Sequence, residues 1–411
     1  MVRAALIDRL GRAPAIRSEA RYWRTLERLA ATSPDVQTAL LALDTLRAHR
    51  LTELRGLLAQ RLALARQSKD DAAWRPLALE DERWFSLVNG SMLPGFLREP
   101  PAVFSVAEED KAVRVLMLGD FGFGAAENRQ LAGEGQTQVA AAMLRFHRLI
   151  PHDFGLTLGD NFYPDGMPGL TDPRWRTLWH GLYDALGIKF YATLGNHDWH
   201  AADSAATQIL YSRQNESWRL PAPYYSFSAG PAQFFALDTT AFSEAQARWL
   251  KEGLLRSRAR WKIAYGHHPI YSHGRHGGTQ RLIQRLLPIL KAGADAYFAG
   301  HEHDMQHLKP EAGLHFFING VGGAPIRTTQ YGVRSLFALR AYGFVSLAVD
   351  VERLDVKFIG TEGQTLYQYS LTKPDESHTD SKAAKEGIEL RTLRPSGGCR
   401  SDSRLGEAPR C

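Results

Sequence analysis

A chain of 411 residues, 44% hydrophobic and 23% charged, has the composition of a soluble globular protein and the length for one large domain or two to three smaller ones. Its net charge of +6, from 50 Lys and Arg against 44 Asp and Glu, suits an anionic substrate but is too dilute to predict nucleic-acid binding. The only cysteines, Cys399 and Cys411, fall in the last thirteen residues, so the body of the chain can form no internal disulfide.

The N-terminal stretch MVRAALIDRLGRAPAIRSEARYW is interrupted by Asp8, Arg9 and Arg12 and lacks the continuous apolar core of a secretory signal. No window of about 18 uncharged apolar residues predicts a membrane span. As it stands the sequence predicts a cytoplasmic protein, with export the alternative if the start site is misplaced.

Residues 1–100 read as a helical extension. Ser33 is placed as an N-cap with Pro34 at the first helical position, and Leu40, Leu43, Leu54, Leu58 and Leu62 recur at helical spacing among arginines. The expectation is an amphipathic helix or hairpin packed as a layer on the main domain. The alternative is an arm for a protein partner or for self-association. Within REPPAVFSVAEEDK, residues 101–111 read as a linker.

From residue 112 short apolar runs end in glycine and polar residues: VRVLMLGD, FGLTLGDN, KFYATLGNHD, FFALDTT, KIAYGHHP, DAYFAGHEHD and HFFINGVGG. Each has a strand's length, and helix-like segments such as QTQVAAAMLRFHRLI and TQRLIQRLLPILKAG intervene, which predicts an α/β sandwich with buried strands. VSLAVDVERLDVKFIGTEGQTLYQYSL reads as consecutive antiparallel strands that close a domain over 112–372. Residues 373–411 are polar and punctuated by Gly and Pro, and are expected to be a disordered tail.

Polar residues at the C-terminal ends of strands converge in open α/β folds. Taken in order, those ends supply Asp120, Asp160 with Tyr163, Asn196 with His197, His267 with His268, and His301 with His303. A hard, highly charged cation prefers carboxylate and phenolate oxygens, and a borderline divalent ion prefers imidazole and amide. Two such ions about 3.5–4 Å apart, joined by a carboxylate, form the clamp used for in-line phosphoryl displacement. His301 and His303 are two apart; a kink at the strand end would send them to neighbouring ions. No C-x-x-C pair, H-E-x-x-H helix, P-loop or G-x-S-x-G elbow is present, and GDFGFGAAE lacks the third glycine of a dinucleotide fingerprint.

In this order GD, GDNFY, GNHD, GHHP and GHEHD resemble the five blocks of the metallophosphoesterase superfamily, and the tyrosine of GDNFY directs the resemblance to purple acid phosphatases of the small tartrate-resistant type. The likeness covers roughly residues 112–372. It implies a calcineurin-like αββα four-layer sandwich, here with an N-terminal α-helical extension. It implies Fe(III) held by Asp120, Tyr163 and His303, a second Fe(II), Zn or Mn held by Asn196, His267 and His301, and Asp160 bridging. His197 would contact the phosphate or protonate the leaving alkoxide, and His276 would face the substrate.

The reaction so implied is hydrolysis of small phosphomonoesters through metal-bound hydroxide. A phosphodiesterase or nucleotide hydrolase on the same core is the alternative, and a partner-docking module with weak activity is a further one. Asp198 and Asp304 are expected to orient histidines or backbone, Asn161 to shape a turn, and His268 to form a wall. Arg275, His273 and His200 read as surface polar groups. Two features depart from the resemblance: its small members are typically exported with a disulfide, and they have no counterpart of residues 1–100.

Overall fold

The computed structural model describes residues 99–125, 128–201 and 204–373. The expected helical extension and polar tail lie almost wholly outside these residues. Among the described residues no helix is long and apolar enough to cross a membrane.

Two mixed sheets carry the fold. The first has the order β15-β14-β13-β2-β3-β4-β5, with β15 at Thr365–Thr372 and β5 at Trp218–Arg219 on its edges. Its centre is β2 (Val113–Leu118) beside β3 (Phe154–Thr157) and β4 (Phe190–Tyr191), all parallel, with β13 (Gly343–Val349) antiparallel to β2. The second has the order β1-β6-β7-β8-β9-β11-β10-β12, in which β7 (Ala232–Ala236), β8 (Trp261–Tyr265) and β9 (Ala296–Ala299) run parallel; β1 is Phe104–Ser105, β6 Tyr225–Ala229, β10 Met305–Glu311, β11 Leu314–Asn319 and β12 Ser335–Leu339. The C-terminal portion expected to be antiparallel is so: β13 pairs with β14 (Arg353–Gly360) from Gly343↔Gly360 to Val349↔Leu354.

Alternation along the strands explains the layering. On β7, Phe234 faces the other sheet and meets Phe154 edge-on at 5.5 Å between ring centroids. Its neighbour Phe235 points the opposite way, into a second core with Leu250 and Leu254 of the helix Glu244–Arg256 and Leu282 and Leu290 of the helices that follow β8. On the outer face of the first sheet the helix Glu134–Leu149 buries Val139, Met143 and Phe146, the last against Phe344 of β13 at 5.6 Å. Helices therefore flank both sheets, giving four layers, αββα. Each fully buried aromatic or leucine contributes roughly 1.5–3 kcal/mol of transfer free energy, so the inter-sheet aromatic layer dominates the adhesion of the two sheets.

The sheet begins earlier than the sequence reading placed it. Phe104–Ser105, inside the segment expected to be a linker, forms β1 parallel to β6, and the Phe104 ring packs on Tyr191 and Phe227 at 5.9 and 5.6 Å. A large aromatic ring beside an open sheet edge is the local cause.

Candidate metal centre

Parallel strands deliver their C-terminal ends to one edge, and here two sheets do so side by side. Asp120, Asp160 and Asn196 follow β2, β3 and β4, while His267, His301 and His303 follow β8 and β9. Three of the four described non-glycine residues with positive φ are Asp120 (56°), Asp160 (49°) and His301 (69°), each directly after a glycine. Left-handed backbone at such residues costs about 1–2 kcal/mol apiece and reverses the chain sharply, which turns each side chain back over the strand ends.

The glycines of the motifs leave room for the carboxylates. A Cβ on Gly195 would lie 2.1 Å from Asp160 Oδ1, and one on Gly300 would lie 2.5 Å from Asp120 Oδ2.

Each buried aspartate has one oxygen anchored and one aimed. Asp120 Oδ2 accepts the His301 backbone N–H at 2.8 Å, and Asp160 Oδ1 accepts that of His197 at 2.9 Å. The free oxygens enter two clusters. Asp120 Oδ1 lies 3.0 Å from the Tyr163 hydroxyl and 3.3 Å from His303 Nε2, and the hydroxyl lies 3.3 Å from that same nitrogen. His267 Nε2 lies 3.0 Å from Asn196 Oδ1 and 3.2 Å from His301 Nδ1. Asp160 Oδ2 stands between the clusters, 3.1 Å from the Tyr163 hydroxyl and 3.3 Å from His267 Nε2.

These spacings match the donor chemistry of metal sites. Ligands bound at about 2.1 Å and at right angles to one another are about 3 Å apart. His267 Nδ1 contacts the Leu158 carbonyl and His303 Nδ1 the Pro325 carbonyl, both at 2.9 Å. A carbonyl only accepts, so Nδ1 carries the hydrogen and Nε2 turns its lone pair to the centre.

The electrostatics agree. Burial pushes the Tyr163 phenol well above its ordinary range, and the charges of Asp120 and Asp160 push it further. Burial opposes a charge on His267, yet the Asp160 and Asp120 carboxylates outweigh it and raise the imidazole to about 9. Burial favours a charged Asp160 least of all, but His267 and then His197 and His301 hold it well below the usual carboxylate range. Burial and the neighbouring His268 and His267 keep His301 neutral. Such a site draws positive charge to its oxygens, and a bound cation would invert the preference of Tyr163. The residues present fit a pair of ions, with Asp160 placed to touch both.

The two expected substrate histidines flank the clusters. His197 is bonded through Nδ1 to the Pro164 carbonyl, packs on the Tyr163 ring at 4.4 Å between centroids, and sets Nε2 3.9 Å from Asp160 Oδ2. The His276 ring is 4.4 Å from that of His301, with Nδ1 3.5 Å from Glu302 Oε2.

Surrounding residues hold the loops. Asp198 accepts backbone N–H groups of Asn161, Phe162 and Gly195, and burial with the Asp160 charge pushes it up to about 6. Asn161 does more than shape a turn: it accepts from the Thr157 hydroxyl and donates to the Thr193 carbonyl, tying β3 to the loop after β4. His268 is bonded to the Thr239 hydroxyl at 3.0 Å, and a ring nitrogen lies within 4.8 Å of those of His267 and His301. Asp304 accepts from the Gln306 amide at 2.8 Å. Arg275 is exposed, as expected of a surface polar group, and lines a pocket with the half-buried His273; His200 lies 3.6 Å from Asp165.

Sequence reasoning missed Glu302. Fully buried between the two histidines of GHEHD, it accepts the N–H groups of His276 and Gly277 at 2.7 and 2.9 Å. Its position in a kinked segment, alternating with two rings that face the clusters, was the available signal.

Residues 113–305 match the family described as Calcineurin-like phosphoesterase. The chain is 27% identical to tartrate-resistant acid phosphatase type 5 of Homo sapiens over 301 residues, 64% of this chain and 91% of that one. Among solved structures, GAP50, the anchor in the inner membrane complex of Plasmodium, superposes with a TM-score of 0.57 at 24% identity, over 71% of this chain and 99% of that one. Purple acid phosphatase PPD1 from yellow lupin, Lupinus luteus, does so with a TM-score of 0.50 at 17% identity, over 66% and 55%.

Proposed function

We propose that this chain, a hydrolase whose residues 113–305 are a calcineurin-like phosphoesterase domain similar to purple acid phosphatases, converts phosphomonoesters to inorganic phosphate and an alcohol at a two-ion centre. The observation that carries the reading is the place of Asp160 Oδ2, within 3.3 Å of a donor from each cluster. Asp120, Tyr163 and His303 would hold Fe(III), and Asn196, His267 and His301 would hold Fe(II), Zn or Mn, with Asp160 shared. When bound, the ions supply Lewis-acid polarisation of the phosphoryl group and an acidified water.

The chain's own groups then divide the work. As the water oxygen bonds to phosphorus, the phosphorus–alkoxide bond breaks and the departing oxygen takes a proton. We assign that donation to His197, whose Nδ1 is bonded to the Pro164 carbonyl and whose Nε2 lies 3.9 Å from Asp160 Oδ2. His276 contacts the phosphoryl oxygens from the other side. Asp198, Asn161 and Glu302 hold the loops so that these rings stay in register.

The test is turnover of p-nitrophenyl phosphate against bis-p-nitrophenyl phosphate by protein supplied with iron and zinc. Preference for the monoester supports the proposal, and preference for the diester favours the phosphodiesterase alternative. No turnover of either by fully metallated protein contradicts both and leaves a docking role.

A further inference from the structure

Beside the centre lies a cavity of about 490 Å³ with Arg275, Arg327 and Arg340 in its lining, together with His273, Thr328 and Gln330 and no acidic residue. Elsewhere some arginines, Arg174, Arg256, Arg285, Arg334 and Arg353, pair with a carboxylate, and others, such as Arg145 and Arg219, donate to backbone carbonyls. Among the described residues none of the three cavity arginines has such a partner. Three guanidinium groups facing one space repel each other unless an anion joins them, and the planar fork of each matches the oxygens of a phosphoryl group.

The cavity is held in register with the centre through one segment. One wall, the loop of residues 273–278, hangs from Glu302 by the N–H groups of His276 and Gly277. The other wall starts where the Arg327 N–H donates to the His303 carbonyl at 2.9 Å, next to the Pro325 carbonyl that fixes His303. Both walls are thus fastened within GHEHD. Arg327 also sets a guanidinium nitrogen 3.2 Å from His276 Nε2, so a single imidazole separates this arginine from the ring of His301.

We infer that this cavity is a second anion subsite, which takes the distal phosphoryl group of a substrate carrying two or more, while the scissile group sits at the clusters. The place of the scissile group at the clusters rests on the phosphoesterase reading; the anion subsite itself does not. Condensed inorganic phosphates and nucleoside polyphosphates share the required chemistry.

The experiment compares wild type with Arg275→Ala/Arg340→Ala, both exposed positions, and with the corresponding double lysine variant. For metallated full chain, the ratio of kcat/KM for tripolyphosphate to that for p-nitrophenyl phosphate falls at least tenfold in the alanine variant and recovers in part with lysine. ATP run in parallel tells the sources apart: a larger fall for ATP assigns nucleoside polyphosphates, a larger fall for tripolyphosphate the inorganic ones. An unchanged ratio for both overturns the subsite. Calorimetry with propane-1,3-diphosphonate and propylphosphonate, which are not hydrolysed, decides the same question without turnover. The alanine variant loses at least tenfold more affinity for the former than for the latter; equal losses overturn the subsite even if wild type proves to hydrolyse nothing, a result that would instead count against the phosphoesterase reading.

Discussion

Asp160 Oδ2 and the Tyr163 hydroxyl lie 3.1 Å apart, joined across a single turn that starts with a left-handed aspartate. The same oxygen reaches His267 Nε2 at 3.3 Å, so one atom on β3's end belongs to both clusters. Most of what is expected of this protein depends on that atom.

Asp160→Asn keeps the shape and removes the shared charge. The variant is expected to retain fewer than one ion per chain where the parent retains two, and to lose at least a thousandfold in kcat, since both ions act together in the clamp. Elemental analysis after desalting checks the first part. Two ions retained in full would refute the shared role.

His267 gives a pH dependence with a definite sign. Its folded-state value is raised to about 9 from an ordinary 6.5, with burial opposing and the Asp160 and Asp120 charges prevailing. A raised value stabilises the fold fully below about pH 6.5 and less as pH rises through 9. Denaturant unfolding of chelator-treated protein should therefore show falling stability between pH 6.5 and 9, and His267→Asn should flatten that slope. A rise in stability over the same range contradicts the assignment. A bound ion would take the proton's place on Nε2, so metal affinity should climb across the same window.

His197→Ala separates proton donation from mere contact. Loss of a general acid costs about 10²–10⁴-fold where the leaving group needs a proton. The expectation is a loss of that size with an alkyl phosphate and a much smaller one with p-nitrophenyl phosphate, whose leaving group departs as a stable anion. Equal losses on both would assign His197 to phosphate contact instead.

Glu302→Ala should release the loop that carries His276 without touching a donor atom of either cluster. Misplacement of a substrate-facing group by an ångström costs up to about 10²-fold, so kcat/KM for p-nitrophenyl phosphate is expected to fall 10- to 100-fold with two ions still bound. Wild-type turnover in the variant, or loss of metal, contradicts this placing of Glu302.

The sequence announced the clusters because strand ends are legible: an apolar run stopping at Gly-Asp, Gly-Asn or Gly-His marks both where a side chain lies and that it is polar. Asp120, Asp160, Asn196, His267 and His301 meet that rule, Tyr163 and His303 follow within the same motifs, and the structure brings their donor atoms together. What holds them in place was not legible. The carbonyls of Leu158 and Pro325 fix two imidazoles, yet any residue supplies a carbonyl, so no letter in the sequence marks them. Glu302 acts on a loop 25 or 26 positions away, and Arg327 reaches His276 across 51, distances over which pattern carries no signal. Phe104 falls in a segment that reads as a linker, and the open edge of β6 gives its ring a place to pack.

The measurement that bears most directly on the two-ion centre is metal analysis of purified protein together with its visible spectrum, repeated on Tyr163→Phe. Two ions per chain, at least one of them iron, with a visible band in the oxidised protein that vanishes in the variant, is the predicted result. A single ion, or a purple colour that survives the loss of the Tyr163 hydroxyl, would contradict it.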